Sequence, residues 1–292
     1  MKKIGYFFSA FLPLIIATAV QFAASLFLMG CTIMAFLIHA PKDGASPVEA
    51  MYDLMLNADY STIIMLMYSI LCIAIFGLWY YHSLGGEYLP KVSRTFSIMQ
   101  IAGVAILVPG MQFFSSYLIG LVSAAFPQWL EQYEELLKTA GLDSSIALPM
   151  FLYSVVLAPV CEELIFRGTS MHLARKALPF WAANIMQALL FGLFHMNWIQ
   201  GIYAFALGLV LGYVCEKGGS IYYSIIFHIL FNFWGTMISQ LLEGIHETPW
   251  LGIMILMITI TSLSLGFFLF NKGTLIKKKR NALLEADASS LS

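Results

Sequence analysis

Two adjacent glutamates stand in an otherwise apolar run, Ala158-Pro159-Val160-Cys161-Glu162-Glu163-Leu164-Ile165-Phe166-Arg167-Gly168. Ionisable side chains inside a hydrophobic segment are expensive, so each one needs a partner or a task. On a helix Glu163 and Arg167 stack on one face four residues apart, and Glu before Arg is the orientation that suits the helix dipole. Glu162 projects about 100° away and is left free. A carboxylate held away from bulk water suits general-base work, taking a proton from water and passing it later to a leaving amine.

Two further spacings carry compatible groups. Phe191-x-x-x-His195 and His228-x-x-x-Asn232 each place their two residues on one helix face. His195 can share an activated water or bind a metal, and His228 and Asn232 can donate hydrogen bonds to the oxyanion formed at a peptide carbonyl. Phe191 packs and restrains His195. Depth is testable by counting. The turn at Leu178-Pro179 lies sixteen residues after Glu162 and sixteen before His195, so antiparallel helical arms return both to one height. The next turn, Lys217-Gly218-Gly219, places His228 about 15 Å up its helix and Asn232 one turn beyond. The site then sits in the cytoplasmic half or middle of a bilayer, and its set suits amide hydrolysis.

The elements that must hold these groups are read from composition. Of 292 residues 60% are hydrophobic and 11% charged, with mean hydropathy +0.82; ordinary globular chains carry roughly a quarter charged residues. The expected fold is all-α, a polytopic transmembrane helix bundle of about eight spans, each needing about 20 apolar residues. The spans run over 5–39, 60–82, 97–125, 147–168, 179–197, 200–215, 219–241 and 248–270. Lys2, Lys3, Lys91, Arg94, Arg175, Lys176, Lys217, Lys272, Lys277, Lys278, Lys279 and Arg280 fall on one side, Lys42 and Lys138 on the other. The positive side is cytoplasmic, which puts both termini there. Met1-Lys2-Lys3 before an apolar run longer than a signal-peptide core reads as an uncleaved first helix, long enough to tilt or protrude.

Residues 45–58 and 127–141 mix apolar and acidic residues at helical spacing, as short helices on the outer surface do. Beyond Lys277-Lys278-Lys279-Arg280 the chain turns polar, a basic flank followed by expected disorder. Gly208 and Gly212 permit close helix packing. Cys31, Cys72, Cys161 and Cys215 imply no disulfide framework.

At Glu162-Glu163-Leu164-Ile165-Phe166-Arg167 (E-E-x-x-x-R), Phe191 to His195 (F-x-x-x-H) and His228 to Asn232 (H-x-x-x-N), in this order on alternating spans, the sequence resembles the CPBP family. These are the CAAX-protease and bacteriocin-processing intramembrane proteases, also called type II CAAX prenyl endopeptidases or the Abi family. The resemblance covers roughly residues 147–240. It divides the chain into N-terminal helices (1–146), a catalytic core (147–240), and a last helix with a basic tail (241–292). It implies a glutamate-dependent endopeptidase acting on a membrane-associated or lipidated peptide or protein in the bilayer of a bacterial cell membrane. Glu162 and His195 then activate water, His228 and Asn232 stabilise the oxyanion, and Glu163 and Arg167 support them. Glu162, His195 and His228 are also the candidate ligands of a divalent metal such as zinc, although no H-E-x-x-H occurs. Nucleic acid is not an expected partner, and oligomeric state is not readable.

Three rivals remain at this stage. Cys161 beside Glu162 opens a thiol protease, although a thiol in an apolar span is mostly uncharged. The same polar core can bind a peptide or partner without cutting it, as in immunity or signalling. A proton-coupled transporter also uses buried carboxylates and histidines, but no paired repeat is evident.

Overall fold

A computed structural model describes residues 2–38, 46–55, 57–83, 95–142, 146–238 and 248–290. The elements are α1 (Lys2–Ser9), α2 (Leu12–Ile38), α3 (Pro47–Met55), α4 (Ala58–Ser83), α5 (Ile98–Ala125), α6 (Pro127–Thr139), α7 (Leu148–Arg175), α8 (Phe180–Phe194), α9 (Trp198–Gly218), α10 (Ile221–Phe233, ending in a π turn Trp234–Ile238) and α11 (Pro249–Ser290). No strand occurs among the described residues. His39, Lys42, Asp43, Lys91, Arg94, Asp143, Glu243 and Glu247 lie outside them.

Among the described residues six helical stretches are long and apolar enough to cross a membrane: Lys2–Ile38, Ala58–Ser83, Ile98–Ala125, Leu148–Arg175, Trp198–Gly218 and Trp250–Leu283. The fifth expected span is α8, which has 15 residues and reaches only about 22 Å. The seventh is α10 with its π turn. The protein is thus a multi-pass helical membrane protein, with its two shortest apolar helices flanking α9. Its outer surface agrees, since Phe22 and Phe27 are 66% and 64% exposed; apolar faces of this kind are stable only against lipid.

The first apolar run is not one continuous helix. Pro13 lacks an N–H and its ring crowds the carbonyl four residues back, at Ser9. α1 stops at Ser9 and α2 restarts at Leu12, and Ser170 Oγ donates to the Ala10 carbonyl across this break at 2.7 Å. Both expected outer helices form, as α3 and α6. The tail departs from expectation: α11 runs helical through Ser290, because Asn281-Ala282-Leu283-Leu284-Glu285-Ala286 is rich in good helix formers that extend an existing helix without a new nucleus.

The turns follow local chemistry. Arg175 Nη1 donates to the Leu178 carbonyl at 3.1 Å and Nη2 pairs with Glu216 at 3.1 Å, closing α7 onto α8 and α9. Gly219, at φ 66°, ends α9 in the left-handed region that favours glycine. The Ser220 hydroxyl then accepts from Tyr222 N–H at 3.3 Å and caps α10.

One contiguous core joins helices from the whole chain. Tyr68, Cys72 and Phe76 of α4 and Val104, Leu107 and Met111 of α5 are buried with Cys161, Ile165, Phe166, Phe191, Leu211 and Phe227. α5 and α11 are held together by Ser262, whose hydroxyl donates to the Ile106 carbonyl and accepts from Gly110 N–H. It therefore stands inside the α5 ladder beside Pro109.

Candidate active site

Glu163 and Arg167 are paired as the spacing requires, Oε1 to Nη1 at 2.8 Å, with both side chains fully buried. The guanidinium lies over the Phe191 ring at 4.5 Å and Nη2 reaches the Gly208 carbonyl at 3.3 Å. The charge is thus balanced by the carboxylate, a ring face and a carbonyl dipole, as an ion taken out of water requires.

His228 links the two glutamates. Its Nδ1 lies 2.9 Å from Glu163 Oε1, and its Nε2 lies 3.6 Å from Glu162 Oε2. A carboxylate ion only accepts, so Nδ1 carries a hydrogen and Nε2 faces Glu162. The two acids therefore differ in burial and in partners. Glu163 is sealed between Arg167 and His228, whereas the Glu162 side chain is 13% exposed and keeps access. The expectation that Glu162 stands free of its neighbour's partners is corrected, because the imidazole spans both.

α7 is not a regular helix where it carries these acids. π turns occupy Tyr153–Leu157 and Leu164–Met171, on either side of Ala158–Glu163. Pro159 explains one consequence. Ala158 N–H bonds to the Tyr153 carbonyl, five residues back, so in the same register the Ser154 carbonyl would need a donor at position 159. Proline has none. Asn232 supplies it, Nδ2 to Ser154 O at 2.8 Å. The irregular backbone of one site helix thereby fixes a side chain of another, and π turns inserted into α-helices are frequent at functional sites.

His195 is the residue following α8. Its Nδ1 lies 2.8 Å from the Phe191 carbonyl; since a carbonyl only accepts, Nδ1 donates and the neutral ring keeps a lone pair on Nε2. Phe191 meets the edges of both imidazoles, with ring centroids 4.9 Å from His195 and 5.8 Å from His228. It is thus a shared wall for Arg167 and both histidines rather than simple packing. Glu162 lies within electrostatic reach of His195, Tyr68, Tyr153 and Tyr203.

A second polar layer went unread in the sequence. Asn184 and Gln187 are fully buried on α8. Gln187 Nε2 donates to Asn184 Oδ1 at 2.8 Å and to the Gly208 carbonyl at 2.9 Å, and Asn184 Nδ2 donates to Leu209 O at 3.0 Å. Gly212 is required here, since a Cβ there would run into the Asn184 side chain. A search for charges passes over neutral amides, but Gln187, Phe191 and His195 share the four-residue spacing that marks this face.

α6 docks beside the turn after His195. Phe126 stacks on Trp129 at 4.2 Å and Trp129 on Trp198 at 5.4 Å, while the Tyr133 and Tyr203 hydroxyls lie 3.4 Å apart. Burial raises the pKa of Tyr133 above its ordinary value, partly offset by that hydrogen bond, so it stays a neutral hydroxyl at physiological pH.

Among the described residues no three His, Cys, Asp or Glu side chains are arranged to hold a metal ion. Glu162 and His228 lie 3.6 Å apart, and the chemistry below is written for the carboxylate and imidazoles themselves.

All three motifs fall within residues 144–234, the segment that matches the family model described as type II CAAX prenyl endopeptidase Rce1-like. No curated protein and no solved structure matches the chain. With the buried Glu163–Arg167 pair, the bridging His228 and the partly exposed Glu162 in that segment, this multi-pass membrane chain is similar at residues 144–234 to the Rce1-like type II CAAX prenyl endopeptidases.

Proposed function

We propose that the protein is an intramembrane endopeptidase in which Glu162 activates water to cut a peptide bond of a membrane-associated or lipidated peptide or protein. The observation that carries this reading is the asymmetry of the acids: His228 touches both, and of the two only Glu162 keeps an exposed face. Water gives a proton to the Glu162 carboxylate as its oxygen attacks the scissile carbonyl carbon. The resulting oxyanion takes hydrogen bonds from protonated His228 and from the second Asn232 amide hydrogen. As the C–N bond breaks, Glu162 returns the proton to the amine. His195, with its Nε2 lone pair free, orients the water. Glu163 accepts the His228 Nδ1 hydrogen and, with Arg167, holds the ring in place. The distribution of lysine and arginine supports both termini on the cytoplasmic side, and the family resemblance supports a bacterial cell membrane.

The test uses purified protein and an internally quenched peptide bearing a farnesylated cysteine followed by two aliphatic residues and one terminal residue. Glu162→Gln is expected to lower turnover by about 10²–10⁴-fold, while Cys161→Ala keeps it. The reverse pattern would replace the carboxylate mechanism with a thiol one. Loss of turnover with chelator, restored by zinc, would add a metal to the site.

A further inference from the structure

The catalytic set drawn from residues 144–234 leaves one question, which is what holds the attacking water besides Glu162 and His195. Tyr68 lies on α4, outside the matched segment, and is 5% exposed. Its hydroxyl has no hydrogen-bond partner among the described residues. A buried hydroxyl without a partner is costly and calls for a ligand or a bound water. The polar groups near it are the thiols of Cys72 and Cys161, which engage each other and reach the Tyr68 hydroxyl, but they are weak partners and form no hydrogen bond of good geometry with it.

Its position is specific. The Tyr68 ring stacks on Phe194 at 6.4 Å and 30°, and it shares the buried cluster with Cys161. Phe194 and Cys161 are the residues immediately before His195 and Glu162. The ring is thus anchored between the two segments that present the water-activating groups, with the Glu162 charge acting on it.

We propose that Tyr68 is a further catalytic residue, its hydroxyl donating a hydrogen bond to one lone pair of the water whose two hydrogens are held by Glu162 and His195. With both hydrogens and one lone pair held, the water's other lone pair is aimed at the substrate carbonyl. This orientation costs no charge in the bilayer and needs no cofactor. It rests on the Glu162 mechanism proposed above.

The test is Tyr68→Phe, read in two ways. With the farnesylated peptide, turnover is expected to fall by about 10²-fold, the scale of a misplaced reactant, while KM changes little. The thermal midpoint in detergent stays level or rises, because an unpartnered polar atom has been removed from the core. A merely structural tyrosine would instead lower the midpoint or leave turnover intact, and either result overturns the proposal. Infrared spectra of the substrate-free protein give the second reading. The carboxyl bands lost in Glu162→Gln are expected to shift in Tyr68→Phe, together with loss of a water O–H band that moves in H₂¹⁸O. If both stay in place, Tyr68 holds no such water. Should wild type fail to cut the peptide, or Glu162→Gln cut it normally, the proteolytic reading fails, and the infrared result alone still decides whether Tyr68 and Glu162 share a water.

Discussion

Glu162 and Glu163 are neighbours in the chain whose burial separates their work. Glu163 is enclosed by Arg167 and His228 at 2.8 and 2.9 Å, so removing the cation strands a charge in a medium that cannot solvate it. Arg167→Ala is therefore expected to destabilise the protein by about 3–5 kcal/mol, measured as a fall in thermal midpoint in detergent. Glu162→Gln, isosteric and at the accessible acid, should leave the midpoint near wild type. A loss below about 1 kcal/mol for Arg167→Ala, the scale of a surface pair, would mean that Glu163 is not held as an ion. This level of the site was largely legible in the sequence. Four-residue spacing gave the Glu163–Arg167 pair, and hairpin counting brought His228 to the right height. That one imidazole spans both acids was not legible, because it depends on how α10 is rotated against α7. Asn184 and Gln187 escaped notice because they carry no charge.

At the scale of elements, Pro159 links helix geometry to side-chain placement. It leaves the Ser154 carbonyl without a backbone donor, and Asn232 fills the gap at 2.8 Å. Pro159→Ala supplies an N–H that competes for this carbonyl and frees the Asn232 amide to turn away. Turnover is expected to fall by at least about tenfold, part of what one oxyanion donor contributes, with thermal stability kept or improved because an interior proline is lost. Unchanged turnover would mean that Asn232 is held by other contacts. The π turns around Ala158–Glu163 could not be read from the sequence, since an all-apolar face has no polar stripe from which to count residues per turn. The proline was the one visible signal. The shortness of α8 was hidden for a similar reason: the apolar run continues through His195, and only backbone geometry, with Met196 at φ 53°, shows where the helix stops.

For the whole molecule, the sequence gives the solvent but not the partition of the chain. Composition and lysine placement point to a helical membrane protein, and the described residues contain six helices long and apolar enough to span, with α8 and α10 shorter. The proposed even count of crossings puts both ends on one side. Single cysteines at Lys3→Cys and Lys278→Cys, in a background lacking the four native thiols, should therefore resist an impermeant maleimide in intact cells and react after permeabilisation. Labelling of only one end in intact cells would require an odd count. The division at residue 146 rests on motifs alone, and one core joins Tyr68, Cys72 and Phe76 to Cys161 and Phe191 across it. The N-terminal helices thus form part of the wall around Glu162.

The claim on which these depend is that Glu162 drives proteolysis inside the membrane. It is tested most directly by comparing membrane proteins and released peptides from cells carrying wild type with those carrying Glu162→Gln at equal abundance. The expected result is a set of cleaved termini and peptides present with wild type and absent with the variant, arising at membrane-embedded or lipidated segments. Identical peptide sets, with the biological effect of the protein retained in Glu162→Gln, would contradict the account and make the polar core a binding site.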